Sequence, residues 1–309
     1  MILCASLSMT CRAGSLAYIT NQGSNDVSVI DVQNNQILAT IPVGKAPVGV
    51  AVSVKLGQVY ISNVDSQTIS IIDSKSNQVI KEVPVNGSPV GIALSPDSRV
   101  LYVADWYADK ILVVDTASLE QREITVGKAP AGLVTSVDGT RLYVANRDSN
   151  DIAVIDTASL QILTRIPVGA HPFGLALSPD GKKLYAVNVH ANSVSMIDTA
   201  TSKTTAIAVG DHPYCATVSA DGQYVYVSNT QGDSVSVINA QQNKTIATIP
   251  VGGFPEGLNY DKATQKIYVA NWGDNSVSVI DASTNKLVES IPTGLKSRAF
   301  GQFIAETAH

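Results

Sequence analysis

One five-residue phrase occurs seven times: AYITN, VYISN, LYVAD, LYVAN, LYAVN, VYVSN and IYVAN, carrying Tyr18, Tyr60, Tyr102, Tyr143, Tyr185, Tyr226 and Tyr268. Successive tyrosines lie 42, 42, 41, 42, 41 and 42 residues apart, so seven units fill nearly all of the 309 residues. A period this regular rules out two unrelated domains and makes the chain one repeat array.

Each unit repeats three further phrases. Val27-Ser28-Val29-Ile30-Asp31 and Val277-Ser278-Val279-Ile280-Asp281 show the apolar/polar alternation of a strand. IPVG closes the unit. Next comes a segment such as Pro172-Phe173-Gly174-Leu175-Ala176-Leu177, ended by Ser178-Pro179-Asp180-Gly181, where proline presets a turn and glycine permits positive φ. Four short strands in about 42 residues make one propeller blade, and radial closure protects strand edges that would otherwise pair with other chains. The fold class is therefore all-β: a seven-bladed β-propeller of four-stranded antiparallel blades.

The chain enters at the second strand of a unit (Leu16 to Asn21) and leaves with an orphan first strand, residues 298–304, so the C-terminal strand is expected to join the N-terminal blade and close the ring. That strand aligns with residues 171–177, with Ala299 in place of the proline and two extra residues before it. The expected organisation is residues 1–15 outside the repeats and residues 16–309 as one propeller domain. The phrases YVAN, VSVID and IPVG resemble the YVTN β-propeller repeat family over residues 16–305. The resemblance implies the seven-bladed fold. Proteins with this repeat include surface-layer domains, exported proteins and a periplasmic DNA binder, so a fold of this kind does not select one function.

Composition narrows the classes. With 45% hydrophobic and 15% charged residues the chain can bury a core, which excludes disorder. A formal charge of -5 gives no global basic field for a polyanion. No apolar run of about 18 residues exists, so no membrane-spanning helix is expected. Three cysteines, Cys4, Cys11 and Cys215, cannot build a disulfide framework. Residues 1–15 are apolar and small and end near Cys11-Arg12-Ala13, which resembles a signal-peptidase site without a basic start. They read as a signal-peptide remnant or a disordered start, and the first reading places the protein in the periplasm or outside the cell.

The differences between units fall on one face. In an antiparallel blade the loop before the first strand and the loop between the second and third strands share a face, and here both vary. Before the proline stand Ala46, Ser88, Ala129, His171, His212 and Phe254, with Arg298 in the last strand; after it stand Val48, Val90, Ala131, Phe173, Tyr214, Glu256 and Phe300. After YVAN come Gln22, Val64, Trp106, Arg147, Val189, Thr230 and Trp272, beside Tyr107 and His190, and Asp105 replaces the repeated asparagine. Both tryptophans and three of the four histidines lie on this variable face. Concave apolar surfaces with a few converging polar groups are the usual ligand sites, so a pocket or docking mouth is expected there.

Three chemistries suit these residues. His171, His190, His212 and Glu256 are candidate ligands for zinc, copper or nickel, although the separation of 41 between His171 and His212 merely restates the period. A histidine base with Glu256, and Arg147 or Arg298 gripping an anionic substrate, would suit catalysis of the kind seen in propeller lactonases and lyases, with His171, His212, Glu256, Arg298 and Arg147 as catalytic candidates. No contiguous catalytic motif is present. The third is binding of a small molecule or protein partner through Asp105, Trp106, Tyr107, Phe173, Tyr214, Phe254, Trp272 and Phe300; it needs the fewest special assumptions, and the expectation is an exported binding propeller, with catalysis as the alternative. Six basic against ten acidic residues on this face disfavour nucleic acid. Cys215 replaces the glycine of the other first strands and reads as a small buried thiol, or as a soft ligand or nucleophile with His212.

Overall fold

The computed structural model describes residues 15–305. The expected signal-peptide remnant therefore lies, apart from Ser15, outside the described residues, as do Cys4 and Cys11. The phrase containing tyrosine forms the second strand of every blade: Leu16–Asn21, Gln58–Asn63, Val100–Asp105, Arg141–Asn146, Lys183–Asn188, Tyr224–Asn229 and Lys266–Asn271. Five of its six residues are buried in each case, because the blades stack face to face and cover both sides. The fourth strands, such as Gln36–Pro42 and Lys286–Pro292, form the rim; the isoleucine or valine before the terminal proline turns inward, as at Ile41 and Ile291. Helical structure among the described residues is limited to two single 3-10 turns, Arg147–Ser149 and Val189–Ala191.

The repeated polar residues are structural. Asn188 is fully buried, and its Nδ2 donates to Ser193 and Ser195 Oγ on the third strand. Asn63 repeats this toward Thr68 and Ser70, and it fills the space that a Cβ at Gly44, in the preceding IPVG phrase, would need. The two phrases are thus coupled across a blade boundary. Inner-strand glycines have a similar origin: a Cβ at Gly91 would lie 2.0 Å from the carbonyl oxygen of Ala131 in the next blade. The sixth blade departs from this, with buried Cys215 in the glycine position.

The ring closes through the C-terminal segment. Ile304–Ala305 pairs antiparallel with Leu16–Asn21, completing the first blade, and Phe300–Gln302 pairs parallel with Gly49–Ala51 of the second. The expected register needs correction. Lys296, not Arg298, is the counterpart of His171: both are left-handed, at φ 59 and 54, and both accept a loop amide at 3.0 Å, from Gln22 and Val189. Ser297 bridges to Asn21 as Pro172 does to Asn188. The two extra residues are accommodated after Ser297, and the bulge carries Arg298 inward.

Aspartates in the turns opposite the variable face are held below the ordinary carboxylate range. Hydrogen bonds from Ser136 and Thr140 lower Asp138 to about 2, and Ser76, Ser159 and Thr201 act similarly on Asp73, Asp156 and Asp198. Depressed folded values mean stability that is present above the unfolded value of about 3.9 and lost as pH falls through the folded values. The melting temperature is therefore expected to be flat above pH 5 and to fall steadily between about pH 4 and pH 2; a melting temperature unchanged across that window would refute this assignment.

Candidate functional site

The two variable loops of each blade are zipped together by backbone hydrogen bonds. Val189 N donates to His171 O, Thr230 N to His212 O, Trp272 N to Phe254 O and Trp106 N to Ser88 O. Side chains distant in sequence therefore meet. His171 and His190 stack with ring centroids 4.0 Å apart, His190 and His212 lie at 5.6 Å, and Phe254 and Trp272 at 6.1 Å. The three imidazoles that the 41-residue spacing left unplaced form one row.

Burial, Arg147 and His190 together pull the His171 ring below its usual value, which favours neutral imidazole near pH 7. Its Nδ1 is buried without a hydrogen-bond partner among the described residues. His212 Nδ1 instead faces Asp211 at 3.1 Å. The row and Glu256 do not converge: among the described residues no three His, Cys, Asp or Glu side chains are grouped to hold a metal ion.

The residues after each proline form a layer across the axis. Phe173 lies 4.1 Å from Tyr214 and 5.2 Å from Phe300, Tyr214 and Phe300 are 5.3 Å apart, and Trp106 packs on Phe173 at 5.9 Å. Val48 and Ala131 complete this plug, in which they, Phe173 and Phe300 are buried and Tyr214 and Trp106 are half-buried. Phe173 and Phe300 are thus partners of one another and form the floor of the mouth. A cavity of about 810 Å³ opens below them, through the turns of the opposite face. Of the pocket or docking mouth expected on the variable face, the aromatic residues fill the axis itself, while the cavity of the inner strands opens at the other end.

At the edge of the plug sits a nearly buried ion pair. Arg298 Nε and Nη2 bind Glu256 Oε2 and Oε1 at 2.5 and 3.0 Å, and Nη1 donates to Gln22 Oε1 at 3.1 Å. Its guanidinium lies 4.9 Å from the Phe300 ring centroid. Side-chain exposure is 18% for Arg298 and 11% for Glu256. Burial pushes the Glu256 carboxyl up, against the pull of Arg298. Cys215, beside them, is pushed up by burial and by Glu256, which keeps it a thiol rather than a nucleophilic thiolate. Gln22, which also receives the Trp272 indole N–H at 3.4 Å, was not singled out by sequence reasoning; its position after YVAN was the available signal.

The remaining candidates divide by exposure. Asp105 is buried, with Oδ1 accepting from the amides of Ser88 and Ala108 and Oδ2 4.0 Å from Lys110. The usual asparagine donor is thereby exchanged for an acceptor facing a lysine. Tyr107 is 80% and Phe254 50% exposed. Trp106 and Trp272 are half-buried, with Arg147 and Lys296 over their rings at 5.5 and 4.9 Å. The face therefore presents aromatic anchors outward around a closed centre, and its loop carboxylates, such as Asp109, Asp233 and Asp274, accept backbone amides.

Comparison with known proteins agrees with this architecture. A model of the seven-bladed β-propeller lactonases matches residues 113–215 and 199–291, together more than half the chain, and a YNCE-like β-propeller model matches residues 54–141. Similar solved structures include Kuenenia stuttgartiensis hydrazine synthase, at 24% identity and TM-score 0.77, covering 85% of this chain and 91% of that one. A functionally unknown protein from Desulfotomaculum acetoxidans superposes at 16% identity and TM-score 0.80, covering 93% and 99%. Virginiamycin B lyase from Staphylococcus aureus does so at 20% identity and TM-score 0.70, covering 81% and 85%. At these identities the likeness is one of fold. No curated protein matches the sequence.

Proposed function

The chain belongs to the seven-bladed β-propeller lactonase family, and from that premise we propose that it is an exported binding propeller whose variable face docks a protein partner. One observation carries this reading: the axis is plugged at that face by Phe173, Tyr214 and Phe300, while Tyr107 and Phe254 project into solvent beside half-buried Trp106 and Trp272. Rigid aromatic anchors on a closed surface suit a macromolecular contact better than a small-molecule pocket. The acidic excess on the loops favours a partner with a basic border and opposes nucleic acid. No helix among the described residues is long and apolar enough to cross a membrane. Export is part of the proposal and rests on the sequence of residues 1–15.

The reading is tested by affinity enrichment from the exported fraction with wild-type, Tyr107→Ala/Phe254→Ala and His171→Ala baits. A partner retained by the wild type and His171→Ala, and weakened about tenfold or more by the aromatic double variant, is expected from hot-spot energetics of 2 kcal/mol or so per anchor. Equal capture by all three baits would sink it.

A second reading, hydrolytic or lyase chemistry, is favoured by the family match and by a depressed His171 near Arg147. A neutral imidazole can take a proton, and a guanidinium can hold a developing oxyanion. It predicts the reverse ranking. His171→Ala would remove turnover of a lactone panel, and the aromatic substitutions would spare it.

A further inference from the structure

The cavity at the opposite end of the axis has a composition unlike the rest of the surface. Its roof is the underside of the plug, Phe173, Cys215 and Phe300, and its walls carry leucine, isoleucine and valine from the inner strands of the second to seventh blades. Not one of its lining residues is acidic, arginine or histidine; the two charged ones are Lys55 and Lys262. This holds although the chain carries an acidic excess, at a formal charge of -5. Both lysines are exposed at the outer lip, where Lys55 Nζ also donates to the carbonyl oxygen of Asp97 at 3.3 Å, and the carboxylates of the adjoining turns, Asp97, Asp180 and Asp221, are engaged by Ser95, Ser178 and Ser219. That lip also carries Val54, Pro96, Pro179 and Ala220, with Val54 46% exposed. The volume, about 810 Å³, falls within the range of roughly 300 to 1,000 Å³ that small-molecule sites occupy.

We infer that this funnel binds a small amphipathic anion, with its apolar body against the inner strands and its carboxylate or sulfonate at Lys55 and Lys262. An apolar interior recovers the transfer free energy of a hydrocarbon body. Cations confined to the lip leave the head group partly hydrated, which avoids the cost of burying a charge. The inference is independent of the reading of the variable face, from which the aromatic plug separates the funnel.

The test is a fluorescence titration of the full chain with 8-anilinonaphthalene-1-sulfonate, displaced by decanoate and by decanol. One saturable site is expected, with decanoate displacing the probe about tenfold better than decanol. Gln302 is exposed inside the funnel, so Gln302→Trp should plug it and abolish probe binding. Ala220→Trp at the lip serves as a second plug, with thermal unfolding checking that each variant is folded. Lys55→Ala/Lys262→Ala should weaken decanoate about fivefold, leave decanol unchanged, and do so less at high salt. Absence of a saturable site, survival of binding in both folded plug variants, or equal displacement by decanoate and decanol would overturn the inference. So would co-sedimentation with phosphatidylglycerol vesicles that the same substitutions remove, since that would assign the lip to a lipid surface.

Discussion

A chain ending at Ser297 is expected to lose its cooperative unfolding transition and to elute as aggregate. The deletion removes Phe300, Phe303 and Ile304, all 5% exposed or less. At about 1.5 to 3 kcal/mol for each fully buried large apolar side chain, this is roughly 5 to 9 kcal/mol, comparable with the whole stability of about 5 to 15 kcal/mol of an ordinary folded protein. It also strips Leu16–Asn21 of its neighbour Ile304–Ala305, opening a free edge of the kind that recruits other chains. Circular dichroism melting and size-exclusion chromatography read the result. A monomer with a wild-type melt would show that the closing segment is dispensable.

The second large effect concerns the pair beside the plug. Arg298→Ala should cost about 3 to 5 kcal/mol, because it leaves the Glu256 carboxylate in an apolar layer without its guanidinium. The double substitution Glu256→Leu/Arg298→Met should recover most of that loss, since a buried ion pair and a packed apolar pair are often close in free energy. The pH dependence has a definite sign. Burial raises Glu256 even with Arg298 present, so without the arginine the native state binds a proton more readily than the unfolded state. The variant's deficit should then be largest at neutral pH and shrink as pH falls. Urea unfolding at pH 7 and pH 5 measures it; a deficit that grows toward pH 5 would refute the assignment.

The fold was legible because the repeat period is a local property and every unit states it independently. Strand order, blade number and ring closure all followed from seven tyrosine phrases and one orphan strand. The candidate site was legible only in part. Which loops vary is written in the sequence, and loop zipping brought His171, His190 and His212 together. Whether their neighbours make a pocket depends on the radius of the ring and on how three aromatic side chains fill it, and no spacing encodes that. Arg298 shows the limit at a single residue. Aligning glycine with glycine set it opposite His171 at the head of the last strand, whereas Lys296 holds that position and the surplus length becomes a bulge that turns the guanidinium inward. Asp105 shows another: the sequence displays it as a lone departure from asparagine, whereas its burial and its approach to within 4.0 Å of Lys110, which itself binds Glu123, appear only in the folded blade.

The hydrogen bond from Tyr18 N to Phe303 O, at 2.9 Å, joins residues at opposite ends of the described chain. During synthesis residues 16–21 emerge early, and the strand that completes their blade emerges after every other strand has been made. Local pairing can form each hairpin promptly, but this contact must await a loop closure spanning almost the whole propeller, whose entropic cost precedes any return. Tyr18 and Ile19, fully buried in the finished ring, therefore remain without their final neighbour while the rest of the ring is made. The last strand of the ring to be translated times the appearance of the native state, and the opening blade sets the interval during which the newborn propeller is open to wrong partners.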